Sequence, residues 1–219
     1  RGSIAGILRV GSPIALQDFL VNVSFLIITS IVNSLGLVAS AGVGISEKLY
    51  VFLSIVPMSF MSALSTFVAQ NMGAGQPLRA RKALFAAQKV SLCFGAVIFT
   101  LTFWGGGLLA ALFSRDAAVI EAAALYMRGS AAEHLLNAFI YCMLGYFNGR
   151  ERTTFVMAQG LFTAFLVRIP LSYLLSRLPG AGMLTISMAI PATALVSLVL
   201  CTGYLLLLRR RDGAAGAAD

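Results

Sequence analysis

Several side chains able to do chemistry lie inside stretches that are otherwise apolar. Glu133, Asn137 and Tyr141 recur at spacings of four and four within the run 119–147. That spacing places a carboxylate, an amide and a phenol on one helix face, a line of groups that could hold a cation or relay a proton. His134 sits about 100° around the same helix from Glu133. An imidazole titrates near neutrality, so the pair could take part in proton coupling; a hydrogen-bonded structural role for His134 is the competing reading. A second polar line, Asp18, Asn22, Thr29 and Asn33, has spacings of four, seven and four and falls within about 60°. It either joins helices by hydrogen bonds or faces a water-filled cavity. Arg168 comes two residues before Pro170. A guanidinium stays charged, so at mid-depth it pairs, snorkels outward or lines a cavity. Pro170 also removes a helix bond and frees the carbonyl of Leu166. Pro57 and Pro191 do the same for Leu53 and Ser187, which suits helices that bend.

The elements that position these groups follow from solvent. The chain has 219 residues, 59% hydrophobic and 11% charged, against about 25% charged in a soluble domain. A membrane span needs about 20 apolar residues. Six segments reach that length: 13–34, 44–70, 83–104, 119–147, 154–176 and 184–208. The expected fold is all-α, a polytopic bundle of six transmembrane helices with short Gly-, Pro- and Ser-rich connections. A soluble bundle is excluded by polarity. No charge occurs from Leu49 to Leu78 or from Leu178 to Leu208, whereas a surface helix carries a polar face. Cys93, Cys142 and Cys201 all fall in apolar runs, with no metal or disulfide spacing. No phosphate-binding loop, nucleophile elbow or zinc-protease pattern occurs, so no catalytic residue, metal or cofactor is expected. Nor does a basic face interleaved with aromatics point to nucleic acid.

The net charge of +8 is concentrated in loops. In VAQNMGAGQPLRARK, Gln70 and Asn71 close one helix, Gly73 and Gly75 supply positive φ for the exit, and Pro77 starts the next helix. Arg79, Arg81 and Lys82 follow, opposing that helix's dipole; basic residues beside a span mark a cytoplasmic face instead. Arg1, Arg9, Lys89, Arg150, Arg152 and Arg209 to Arg211 fall on the same side, facing anionic headgroups. Lys48, Arg115, Arg128 and Arg177 fall on the other. Both termini are therefore expected in the cytoplasm, with residues 209–219 a basic and then small-residue tail, disordered in expectation.

Four stretches together resemble the multidrug and toxic compound extrusion (MATE) family. VAQNMGAGQPLRARK resembles the loop after the second helix of a family half, and SPIALQDFLVNVSFLIITSIVNSLG resembles the seventh helix. LGYFNGRERTTF resembles the loop between the tenth and eleventh helices, and FLVRIPLSYLLS the eleventh. The resemblance covers about Gly6 to Leu208 in order. It implies a C-terminal six-helix lobe, partnered by an N-terminal lobe of the same polypeptide in a bacterial inner membrane. The lobes would rock between inward- and outward-open states, exporting small molecules against a Na+ or H+ gradient. The cavity residues expected from the chain itself are Asp18, Asn22, Glu133, His134, Asn137, Tyr141 and Arg168. The departures are specific. Where the NorM-type branch carries a cation-binding Glu on the seventh helix, this chain has Val21 or Asn22. Where that branch has an Asp on the tenth, it has Asn137. Glu151 stands where a loop Gly is expected. In these respects the chain is nearer the DinF-like branches. Rival expectations are a flippase of lipid-linked sugars, a non-transporting membrane scaffold, and an intramembrane enzyme using His134, Glu133 or Cys142.

Overall fold

The computed structural model describes residue 16 and residues 19–20, 22–24, 26–33, 36–180 and 182–215. Asp18 and Val21 lie outside the described residues, as do the expected N-terminal basic positions. The described chain is helical throughout: α1 (Asn22–Asn33), α2 (Leu37–Gly73), α3 (Pro77–Ala111), α4 (Ala117–Ser130), α5 (Ala132–Gly149), α6 (Thr153–Leu161), a π-helical segment (Phe162–Arg168), α7 (Ile169–Ser176), α8 (Met183–Ser187) and α9 (Ala189–Ala215). Among the described residues, four stretches are long and apolar enough to cross a membrane: Leu37–Gly73, Pro77–Ala111, Thr153–Ser176 and Met183–Arg210.

The second and third helices outrun the expected spans. At about 1.5 Å per residue they are about 50–55 Å long, well beyond a ~30 Å hydrocarbon core. The Ala-, Ser- and Gly-rich stretch before Gly44, expected as loop, is the first turns of α2, and its Gly42 packs directly on Ala122 and Ala123 of α4. Tertiary contact there overrides weak local propensity. Pro57 lies inside α2 without interrupting it. The expected fourth helix is divided at Ala131, which keeps helical angles (φ −52°, ψ −41°). Ser130 Oγ donates to Met127 O at 3.2 Å and His134 N–H to Ala131 O at 3.0 Å, so the backbone bond at His134 reaches back three residues. In the last span the break falls at Met188, three residues before Pro191. The C-terminal helix runs through Ala215, past the point where a disordered tail was expected.

Two turns close in the same way. After α2, Gly75 adopts φ +68°, Gln76 N–H donates to Asn71 O at 2.8 Å and Gly75 N–H to Met72 O at 3.1 Å. This is the paired closure that a left-handed residue permits at a helix end. Gly73 is the last residue of α2 and does not take positive φ; Gly75 alone of that pair does. After α5 the same pattern recurs, with Arg152 N–H donating to Phe147 O at 2.9 Å and Glu151 N–H to Asn148 O at 3.0 Å. Here the left-handed residue is Glu151, φ +59°.

The buried apolar residues fall into three clusters, one of them around Leu49, Ala110, Ala123 and Met127 and the other two at the poles. At one pole, Leu64, Val68, Leu84, Tyr146, Phe147 and Leu205 interlock, and the turns after α2 and α5 meet the end of α9. At the other, Val32, Val43, Tyr126 and Ile186 pack together. Apolar side chains such as Phe52, Leu108, Leu174 and Val199 are exposed, as lipid-facing residues are. The polar candidates lie between the clusters at the poles.

Candidate functional site

Seven elements converge on a cavity of about 450 Å³. From α1 come Asn22 and Thr29, from α2 Glu47 and Tyr50, from α4 Tyr126, and from α5 Glu133 and His134; Arg168 reaches it from the π segment. A second cavity, about 130 Å³, lies beside it and is lined by Asn137, Thr163 and Ser197 among others. Glu133, Arg168 and Ile190 border both, so they form the partition between the two chambers.

Each of these placements has a local cause. Glu133 and His134 occupy the first turn of α5, immediately after Ala131, and both border the cavity. Glu133 Oε1 accepts from the Tyr50 hydroxyl at 3.3 Å, and Asn137 Nδ2 donates to that hydroxyl oxygen at 3.5 Å. One phenol therefore bridges α2 to two turns of α5. The His134 ring lies 6.0 Å from that of Tyr50, tilted by 30°. Arg168 ends the π segment, two residues before Pro170. Proline cannot donate and its ring crowds the carbonyl one turn earlier; a widened π turn absorbs both defects. Arg168 is in hydrogen-bonding reach of Tyr126 and interacts electrostatically with both Glu47 and Glu133.

Of the seven residues expected to line a cavity, Asn22, Glu133, His134 and Arg168 border the larger chamber and Asn137 the smaller. Tyr141 is half-buried one turn beyond Asn137 and lines neither of these two. Asp18 lies outside the described residues. The polar line on α1 is not uniform in its use: Thr29 faces the cavity, whereas Asn33 accepts a hydrogen bond from Ser40 Oγ at the start of α2. Glu47, Tyr50 and Tyr126 went unrecognised by spacing. Glu47 adjoins Lys48 near the expected start of a span at Gly44, where a carboxylate reads as solvated. The helix starts seven residues earlier, which carries Glu47 inside. The signal available was its i, i+3 relation to Tyr50.

Near the basic pole, Arg150 and Asp212 form a two-pronged ion pair, Nη1–Oδ2 and Nη2–Oδ1 both 2.9 Å. It clamps the turn after α5 to the last turns of α9. The Arg150 hydrogen bonds come first in holding the Asp212 carboxyl below its ordinary range, with Arg152 and Arg81 adding to the effect.

Fold and site together define a multi-pass helical membrane protein with an internal polar cavity. The chain belongs to the MATE family of transporters: the family model described as MatE matches residues 13–174. Among curated relatives, the FAD transporter of Shewanella oneidensis is 28% identical over 202 residues, 92% of this chain and 44% of the relative. Multidrug resistance protein PmpM of Pseudomonas aeruginosa is 28% identical over 173 residues, 79% of this chain and 36% of the relative. The chain thus spans less than half the length of these relatives. A solved outward-facing multidrug resistance MATE transporter of the MOP superfamily has the same fold over 98% of this chain and 48% of its own, with a TM-score of 0.87 at 16% identity.

Proposed function

We propose that this chain is the C-terminal half of a cation-coupled efflux antiporter of the bacterial plasma membrane, paired with an N-terminal six-helix lobe. It works by alternating access, exporting small lipophilic cations and driven by Na+ or H+. The observation that carries the reading is the central cavity of about 450 Å³, bordered by two carboxylates, Glu47 and Glu133, and floored by aromatic and aliphatic side chains. Such a lining suits an organic cation, with apolar walls for its body and carboxylates for its charge. Glu133 is the side chain we assign to charge recognition, with Tyr50 and Asn137 orienting it. The similarity to the multidrug resistance protein PmpM and coverage of less than half of PmpM and of the FAD transporter support the reading.

Ethidium efflux from cells carrying the full-length protein tests it. Glu133→Gln should slow efflux by roughly tenfold, about 1.4 kcal/mol of lost charge recognition, at unchanged membrane abundance. Efflux at the wild-type rate would remove Glu133 from the mechanism.

A second reading is favoured by Arg168 and by the FAD transporter relative: the cargo is an anionic dinucleotide, whose phosphates the guanidinium would meet. Accumulation of flavin dinucleotide outside expressing cells, abolished by Arg168→Gln and indifferent to Glu133→Gln, would select it.

A further inference from the structure

At the basic pole, four guanidiniums from three segments gather around one carboxylate. Arg150, in the turn after α5, is held by its two 2.9 Å bonds to Asp212 and by donating to the Tyr146 hydroxyl at 3.2 Å. Arg152, two residues on, and Arg81, in the second turn of α3, act on the same Asp212 carboxyl. Arg209 lies three residues before Asp212 on α9, and its guanidinium sits 5.1 Å over the ring of Phe85, one turn along α3 from Arg81. Among the described side chains, four positive charges against Asp212 leave an excess of three. Counting Glu151 of the same turn, the excess is two. Like charges gathered this way repel, and solvated loop cations would spread apart.

Arg209 carries a second mark. Its Nε is buried and has no hydrogen-bond partner among the described residues. A buried donor left without an acceptor is costly, and a planar guanidinium pinned on an aromatic ring presents its fork ready for a two-oxygen acceptor such as phosphate. Toward the middle of the two helices the surface changes character. Phe85, after Arg81 on α3, and Leu206, before Arg209 on α9, are exposed apolar side chains. An anion seated among the guanidiniums therefore has apolar surface directly beneath it.

We propose that Arg81, Arg152 and Arg209 form a binding site for the headgroup phosphate of an anionic phospholipid, with its acyl chains lying on Phe85 and Leu206. The excess of at least two charges favours a headgroup of net negative charge. A zwitterionic one would bring its own cation to the same guanidiniums. A lipid bound there ties the start of α3, the turn after α5 and the end of α9 together from outside, where the Arg150–Asp212 pair ties two of them from within. The inference stands on this pole alone and is independent of the export reading.

Native mass spectrometry of the purified full-length protein, titrated in detergent with phosphatidylglycerol or phosphatidylcholine, tests it. Wild type should retain phosphatidylglycerol and not phosphatidylcholine. Arg209→Gln should weaken retention about fivefold, and Arg81→Gln combined with Arg152→Gln about 30-fold. Lys82→Gln removes the same charge from an exposed neighbour and should stay within about twofold of wild type. Equal retention of both lipids by wild type would overturn the site, as would wild-type affinity in either arginine variant. A loss in Lys82→Gln as large as that in Arg209→Gln would show diffuse attraction instead of a site. If Arg209→Gln does not fold, the paired variant decides alone. Inorganic phosphate supplies the last arm: it should displace little lipid, and complete displacement would mean that the site takes a free anion, against the proposal.

Discussion

At the scale of single residues, two residues sit where their type is not favoured, one by its backbone angles and one by its charge within a span. Glu151 sits at φ +59°, where a side chain costs about 1–2 kcal/mol. The equivalent turn after α2 uses Gly75 at φ +68° and avoids that cost. Glu151→Gly should therefore stabilise the folded chain, by about 1 kcal/mol or less once glycine's greater unfolded entropy is subtracted. A thermal melt in detergent should show a small rise in midpoint; a fall would mean that the Glu151 side chain is held by something worth more than its strain. Arg168 is the second case. Its charge is tolerable because Glu47, Glu133 and Tyr126 surround it, and the π turn before Pro170 is what points it at them.

At the scale of elements, α5 reaches α2 through a pair of small residues. A Cβ added to Gly145 would lie 2.5 Å from Met61 O, and one on Gly149 would lie 2.5 Å from Ser65 O. Helices in lipid gain from such close approach because apolar burial does not drive them together. Gly145→Ala should push α5 off α2 and cost about 1–3 kcal/mol, while Gly105→Ala in α3, with nothing within 4 Å, should be neutral or mildly stabilising. Parallel melts of the two variants check this. Equal midpoints would show that the contact is not limiting. The Arg150–Asp212 clamp makes a different prediction. Its carboxyl titrates below its unfolded value of 3.8, so the clamp stabilises at pH above that value. The contribution is lost as pH falls through the lower, folded value. Asp212 is about half exposed, so screening limits the effect to about 0.5 kcal/mol. Asp212→Asn should melt slightly below wild type at neutral pH, and the gap should close as pH falls well below the unfolded value.

At the scale of the whole molecule, charge sorts by pole. The turns after α2 and α5 and the end of α9 gather Arg79, Arg81, Lys82, Arg150, Arg152, Arg209 and Arg210 at one end. Arg115 and Arg177 lie in turns at the other end. Basic loops stay in the cytoplasm, so the orientation we propose makes an experimental prediction. In a Cys93→Ser background, a membrane-impermeant maleimide applied to intact cells should label Arg115→Cys and Arg177→Cys but not Arg79→Cys or Arg152→Cys. The reverse pattern would invert the topology.

The chain's solvent, its helical class and its family were legible in the sequence because they depend on sums: apolar runs long enough for a bilayer, and four motifs in register. So were Glu133, His134, Asn137 and Arg168 as candidates, since a polar group in an apolar run is visible without coordinates. Where those groups point was decided only in three dimensions. The π turn at Arg168 answers a local defect at Pro170, but the groups it meets, like the seven-residue extension of α2 that carries Glu47 inward, depend on packing between distant segments, and a helical period read along one segment carries no information about its neighbours.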